Sequence, residues 1–170
     1  MDNLIIYGSP NKDHSFTMEL LKKVEPDFLD NSVFFDCFNA SPKPCDGCGF
    51  CKKADNCKYT DLNGFFDAFK AASRVIFAFP VYNGSFPAPM KALIDRFQQF
   101  YNARFFKNKR PPIEGMRDVT LVITAGSKND PLPLIAAQLK PLFTVCGCRL
   151  KKAVMLLGTD GEPTFKTVDF

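Results

Sequence analysis

Two hydrophobic rhythms alternate along this chain. Leu4, Ile5, Ile6 and Tyr7 form an unbroken apolar run that stops at Gly8, the pattern of a parallel strand covered on both faces. Met18, Leu20, Leu21 and Val24 then fall at helical spacing. Ser32 to Phe38 alternates loosely and predicts a second strand nearer a sheet edge. After a cysteine- and proline-rich connection, Thr60-Asp61 reads as a helix start, with Leu62, Phe65, Phe66 and Phe69 on one stripe. Arg74 to Phe79 predicts a third, doubly covered strand ending at Pro80. Met90, Leu93, Ile94, Phe97 and Tyr101 share one side of a helix whose first turn holds Pro89. Asn102 to Gly115 reads as a basic, proline-bearing loop. Val119 to Ile123 is a fourth strand, closed by Thr124-Ala125-Gly126-Ser127. Leu134 to Val145 predicts a helix that Pro141 is expected to kink or shorten. Ala153 to Leu157 supplies a fifth strand, and Gly158 to Phe170 reads as a short tail without a clear helix.

Strands alternating with helices predict an α/β fold of three layers, a five-stranded parallel sheet with helices on both faces. The expected strand order is 2-1-3-4-5, whose ligand crevice lies outside the carboxyl ends of the first and third strands. Three loops would converge there: Gly8–Thr17, Pro80–Ser85 and Thr124–Ser127. A length of 170 residues suits one domain, 1–170, with residues 39–59 as a cysteine-rich insertion loop. A net charge of +4 carried by scattered basic residues gives no support to nucleic-acid or membrane binding. No apolar run is long enough to span a bilayer. Met1-Asp2-Asn3 lacks a basic leader and runs directly into a strand, so the expected location is the cytoplasm.

The first loop carries Ser9, Asn11, Ser15 and Thr17 around Pro10, just before a helix. Unpaired N–H groups at a helix N-terminus favour a phosphate monoester. The competing reading is an ordinary capped turn, with Ser15 or Thr17 merely closing the helix. In the second loop, Tyr82 offers an aromatic surface, and the backbone of Asn83, Gly84 and Ser85 offers donors to a flat conjugated ring. Together the loops fit a mononucleotide such as FMN, unless Tyr82 is a surface aromatic and Asn83-Gly84 a plain turn.

Gly8-Ser9-Pro10, the segment Pro80-Val81-Tyr82-Asn83-Gly84-Ser85, and Pro89-Met90-Lys91-Ala92-Leu93-Ile94-Asp95-Arg96 resemble the flavodoxin-like NAD(P)H-dependent FMN reductase family. The resemblance runs from Leu4 to about Gly158. It implies phosphate contacts at Ser9, Asn11, Ser15, Phe16 and Thr17 and ring contacts at Pro80 to Ser85; the converging third loop adds Ala125 and Gly126 as cofactor-binding positions. Many members of the family carry arginine at the position of Asn11, so a charged phosphate partner is missing here. Lys91 and Asp95 stand four apart on one helix and read as a structural ion pair.

Cys45-x-x-Cys48-x-x-Cys51-x5-Cys57 is the second signal. Three closely spaced thiolates and a fourth can wrap one [4Fe-4S] cubane, with Gly47 and Gly49 easing the turns. A metal-free loop of thiols and, more distantly, zinc are the alternatives. The spacing resembles the compact motif of iron–sulfur flavoproteins. Cys37, Cys146 and Cys148 read as small buried apolar residues.

The leading expectation is an FMN-dependent NAD(P)H oxidoreductase of the flavin- or quinone-reductase type, passing electrons to a small acceptor, with no catalytic acid or base. The nearest alternative is an iron–sulfur flavoprotein moving electrons between a [4Fe-4S] cluster and FMN, with a ferredoxin-like partner. A non-enzymatic thiol or metal sensor is the alternative of another class. His14, the single histidine, reads as a solvated loop residue or as a hydrogen-bond donor in the phosphate loop, and Lys107, Lys109 and Arg110 as either solubilising or steering nicotinamide phosphates. Phe97, Phe100, Tyr101, Phe105 and Phe106 are too many aromatics for one narrow helix face, so some are expected at an interface of a homo-oligomer, dimer or tetramer.

Overall fold

The structure is a computed structural model that describes residues 2–12 and 14–170. Met1, part of the chain start discussed above, and Asp13, within the first loop, lie outside the described residues. Strand β1 (Asp2–Tyr7) leads to helices α1 (Phe16–Val24) and α2 (Pro26–Asp30), then to strand β2 (Ser32–Asp36). The cysteine-rich connection holds two single-turn helices, α3 (Cys37–Ala40) and α4 (Phe50–Lys53). Helix α5 (Asn63–Ala71), strand β3 (Ala72–Pro80), and helices α6 (Ala88–Arg96) and α7 (Gln98–Phe105) follow. Strand β4 (Arg117–Ala125), helix α8 (Leu132–Cys146), and strands β5 (Cys148–Leu157) and β6 (Thr164–Asp169) complete the order.

The sheet runs β2-β1-β3-β4-β5-β6. The first five strands are parallel in the expected order. The sixth corrects the five-stranded expectation: the tail folds back antiparallel on β5, from Leu157 opposite Thr164 to Lys152 opposite Asp169. Its side chains are exposed almost throughout. An edge strand that buries neither face carries no hydrophobic alternation to betray it.

The unbroken apolar runs follow from coverage on both faces. Successive side chains of a strand point to opposite sides. Leu4 and Ile6 therefore join Val75, Phe77 and Phe79 in the layer under α5 to α8. Ile5 and Tyr7 join Ile76, Ala78 and Val122 under α1 and α2. Each such aliphatic, fully buried, contributes about 1.5–3 kcal/mol of transfer free energy.

The single helix expected through Met90 and Tyr101 is instead two. The chain turns at Phe97, whose ring packs edge-on against Phe66 at 5.3 Å and Phe69 at 4.8 Å. The break divides the aromatics: Phe97 and Phe100 are buried, while Tyr101, Phe105 and Phe106 face outward. The helix also claims the first residues of the expected Asn102–Gly115 loop. Pro141 sits inside α8 without ending it. It lies on the exposed face, where water can satisfy the carbonyl one turn back.

Arg117, 1% exposed, holds the far end of the sheet. Its Nε donates to the Phe69 carbonyl at 2.8 Å, Nη1 to Cys146 at 3.0 Å and Gly115 at 3.2 Å, and Nη2 to Lys70 at 2.8 Å and Glu114 at 2.9 Å. Three of those carbonyls belong to the last turns of α5 and α8, where helices leave acceptors unpaired and favour a cation.

Candidate functional site

The three loops predicted to converge do so at the carboxyl ends of β1, β3 and β4. A cavity of about 440 Å³ is lined by Ser9, Asn11, Ser15, Phe16 and Thr17 from the first loop, Pro80, Val81 and Tyr82 from the second, and Ala125 and Gly126 from the third. A second of about 490 Å³ adjoins it through Val81, Ala125 and Gly126 and adds Asn83 and Gly84. Ser85 lines neither: its hydroxyl donates to Gln138 Oε1 of α8 at 2.8 Å.

In the first loop the hydroxyls divide their tasks. Ser15 caps α1, its Oγ accepting from the Met18 N–H at 3.0 Å. The same Oγ lies 2.6 Å from the Tyr7 hydroxyl, which donates to the Asn11 carbonyl at 3.2 Å. Tyr7 is wholly buried at the end of β1, so a core residue shapes the loop above it. Thr17 Oγ1 meets Thr124 Oγ1 at 2.8 Å in a buried bond that ties α1 to the end of β4. The capping reading describes Ser15 and not Thr17, whose hydroxyl ties the helix to β4; both still line the cavity. The first N–H groups of α1 lack intrahelical partners, and the helix dipole favours an anion there.

The second loop is a tight reversal. Tyr82 and Ser85 exchange two main-chain hydrogen bonds of 3.0 Å, with Asn83 at φ 51° and Gly84 at φ 73° between them. Positive φ at both central residues is the geometry for which Asn-Gly is chosen. The Val81 N–H donates to the Thr124 carbonyl at 2.8 Å, joining the second loop to the third. Tyr82 and Phe16 keep their rings half-exposed, 46% and 47%, although both line the crevice.

Sequence reasoning missed Thr159 and Asp160, which line the crevice beside Thr124 of the third loop. His14 lines it too and is exposed, as a solvated loop residue should be. Thr159 donates its N–H to the Ala125 carbonyl at 3.1 Å. The Asp160 carboxylate lies over Gly126, where a Cβ would collide with it. The turn residues Asp160-Gly161, beside the unrecognised β6, were the available signal.

The cysteines form a separate site. Cys45, Cys48, Cys51 and Cys57 all line one cavity of about 410 Å³, with Tyr59, Asp95, Gln98 and Asn102 opposite. All seven cysteines are free thiols. Among the described residues no three Cys, His, Asp or Glu side chains gather as the ligands of a single metal ion. A cubane spreads its thiolates around a body wider than one ion, and four cysteines about a common cavity are the donor set it takes. Cys37 and Cys148 are pushed up to about 12 by desolvation, and burial holds Cys146 well above the ordinary thiol value. Cys37 and Cys146 are buried as expected, whereas Cys148 is only half-buried.

One arginine pins both stems of the cysteine loop. Arg96, 2% exposed, donates from Nη1 to the Lys43 carbonyl at 2.9 Å and from Nη2 to the Tyr59 carbonyl at 3.0 Å. It pairs with Asp61 at 2.9 Å, and Asp61 also accepts from the Lys43 N–H at 3.0 Å. Burial pushes the Asp61 carboxyl up, yet Arg96 and that N–H bring it below the ordinary value. Inside the loop Asp46 accepts from Lys58 at 2.6 Å, Tyr59 at 2.9 Å and the Cys48 N–H at 3.2 Å. These bonds, Lys58 foremost, hold its carboxyl well below the usual range. Lys107 and Lys109 pair with Asp55 at 3.1 and 2.8 Å, which assigns them to this loop. Lys91 and Asp95 form the expected i,i+4 pair at 2.6 Å.

Comparison with known proteins extends these observations. The model of the NADPH-dependent FMN reductase family matches residues 1–159. An iron-sulfur flavoprotein of Methanosarcina thermophila is 35% identical over 112 residues, 61% of this chain and 56% of that protein. One of Archaeoglobus fulgidus is 33% identical over 109 residues, 61% of this chain and 55% of the relative. The chain therefore spans a little over half the length of these curated relatives. Among solved structures, an NAD(P)H:quinone oxidoreductase from Methanothermobacter marburgensis superposes with a TM-score of 0.69 at 18% identity, covering 94% of this chain and 84% of that one. An FMN-dependent NADH-azoreductase from Bacillus anthracis, in complex with FMN, gives 0.61 at 15% identity, covering 94% and 88%. At such identities the likeness shows the fold.

Proposed function

The chain belongs to the NADPH-dependent FMN reductase family, and from that premise we propose that it is an FMN-dependent NAD(P)H oxidoreductase that reduces a small acceptor. The observation that carries this reading is the meeting of three loops in one crevice at the switch point of the sheet. FMN, when bound, supplies the hydride and electron chemistry. The residues of the chain bind and orient it. Ser9, Asn11, Phe16 and the free N–H groups of α1 would hold the phosphate. The Tyr82–Ser85 turn and the backbone at Ala125 and Gly126 would face the ring. The chain supplies no arginine for the phosphate in this loop, so binding relies on main-chain donors, hydroxyls and the helix dipole. The bound flavin should lose its visible absorbance when NADH or NADPH is added without oxygen and regain it with a quinone. Absence of bleaching with either nucleotide would contradict the reading.

Tyr7 offers a sharper test of the phosphate loop. Tyr7→Phe removes the hydroxyl that holds Asn11 and Ser15 and leaves the core volume nearly unchanged. One such bond is worth about 1 kcal/mol. Affinity for FMN, measured by fluorescence quenching, should fall about fivefold, and the thermal unfolding midpoint should drop by about 2–4 °C.

A second reading adds a [4Fe-4S] cluster, making the protein an iron–sulfur flavoprotein type that exchanges electrons with a ferredoxin-like partner. It is favoured by four cysteines on one cavity and by the similarity to two iron-sulfur flavoproteins. Cys45, Cys48, Cys51 and Cys57 would hold the cluster, which supplies one-electron chemistry. A thiol or metal sensor would leave the crevice without a task. The exposed Tyr101, Phe105 and Phe106 support a homo-oligomer. Among the described residues no helix is long and apolar enough to cross a membrane, and we place the protein's work in the cytoplasm.

A further inference from the structure

Two buried polar side chains of the α6–α7 pair take no part in the crevice and meet the cysteine loop instead. Asn102, 2% exposed, donates from Nδ2 to Cys51 Sγ at 3.1 Å. Gln98 Nε2 lies 3.4 Å from Asn102 Oδ1. Arg96 spends Nη1 and Nη2 on the loop stems, two carbonyls and the Asp61 carboxylate. Its fifth donor, the Nε–H, is buried and has no acceptor among the described residues. A buried donor left unpaired costs free energy and calls for an acceptor. Besides Asp61, the Cys57 side chain lies close enough to act on this guanidinium.

We infer that Asn102 and Arg96 are positioning residues of a thiolate-ligated iron–sulfur site, the Asn102 amide donating to Cys51 and the spare Arg96 Nε–H to Cys57. The inference rests on the iron–sulfur reading of the cysteine cavity. N–H···S bonds draw charge from ligand sulfur, favour the more negative reduced cluster and raise its potential. The two donors sit on one wall, so the sulfurs of Cys51 and Cys57 are the electron-poor pair, and Cys45 and Cys48 the electron-rich one.

The test uses the full chain, reconstituted anaerobically with ferrous iron and sulfide and titrated potentiometrically by electron paramagnetic resonance. Asn102→Leu, close in volume and lacking a donor, should move the cluster midpoint to more negative potential while leaving the FMN midpoint in place. Asn102→Asp keeps the shape and replaces the donor with an acceptor, and should move it further in the same direction. Arg96→Lys keeps the charge and removes the Nε–H, and should also shift the midpoint negative. Asp61→Asn weakens the stem clamp and retains the Nε–H, so it should give no negative shift. A role confined to packing would leave the midpoint of a loaded Asn102 variant unmoved, and that result overturns the inference while the cluster reading stands. Wild-type protein that takes up no iron and sulfide overturns both.

Discussion

Arg117→Met should lower the unfolding free energy by about 3 kcal/mol, read as a lower midpoint in urea denaturation. The substitution removes five donors at once and leaves the carbonyls of Phe69, Lys70, Glu114, Gly115 and Cys146 without them. Each buried acceptor so exposed costs about 1–3 kcal/mol, less where water can enter. Two effects oppose the loss. Burial pulls the guanidinium below its ordinary pKa, so holding it charged there already has a cost that the variant escapes. Methionine also fills part of the vacated space. The carbonyl losses outweigh both, because Arg117 joins α5, α8 and the start of β4 with no carboxylate to compensate elsewhere. An unchanged midpoint would show that these carbonyls find water as readily as they find the guanidinium.

The double variant Cys45→Ser, Cys48→Ser should abolish reconstitution of the cluster, from about four irons per chain to less than one. FMN affinity should stay within about twofold of wild type, since the cysteine cavity and the crevice share no lining residue and a twofold change is within 0.4 kcal/mol. Iron and acid-labile sulfide analysis reads the first outcome, and flavin fluorescence the second. Serine keeps the size of cysteine but is a far weaker ligand for iron at neutral pH. Full iron content in the variant would remove these cysteines from the ligand set. A joint loss of iron and flavin would show that the two sites are coupled through the fold.

The legible parts of this chain are those where one physical demand dominates. Leu4 to Tyr7 and Val75 to Phe79 had to be doubly covered strands, because their apolar runs leave no polar face. Once the alternation of strands and helices placed them side by side, the convergence of the first, second and third loops followed from topology alone. Asn83-Gly84 likewise announced a reversal through the left-handed backbone that both residues tolerate. What stayed hidden depends on tertiary context. Strand β6 carries no pattern, since it pairs at an open edge, and with it went Thr159 and Asp160. Tyr7 reads as core from the sequence, while its hydroxyl works in the loop above. The contacts of Asn102 with Cys51 and of Arg96 with Asp61 gave no signal because those partners lie 51 and 35 residues away. The turn at Phe97 was obscured by a helical spacing that continues across it, and only the crowding of phenylalanines under α5 explains it.

The central claim is that the crevice at the ends of β1, β3 and β4 holds a flavin by its phosphate. Titration of flavin-free protein with FMN and with riboflavin, followed by quenching of flavin fluorescence, tests it most directly. FMN should bind at micromolar concentration or below, and riboflavin, which lacks the phosphate, about tenfold more weakly or worse. Equal affinity for the two, or no retention of FMN, would contradict the account.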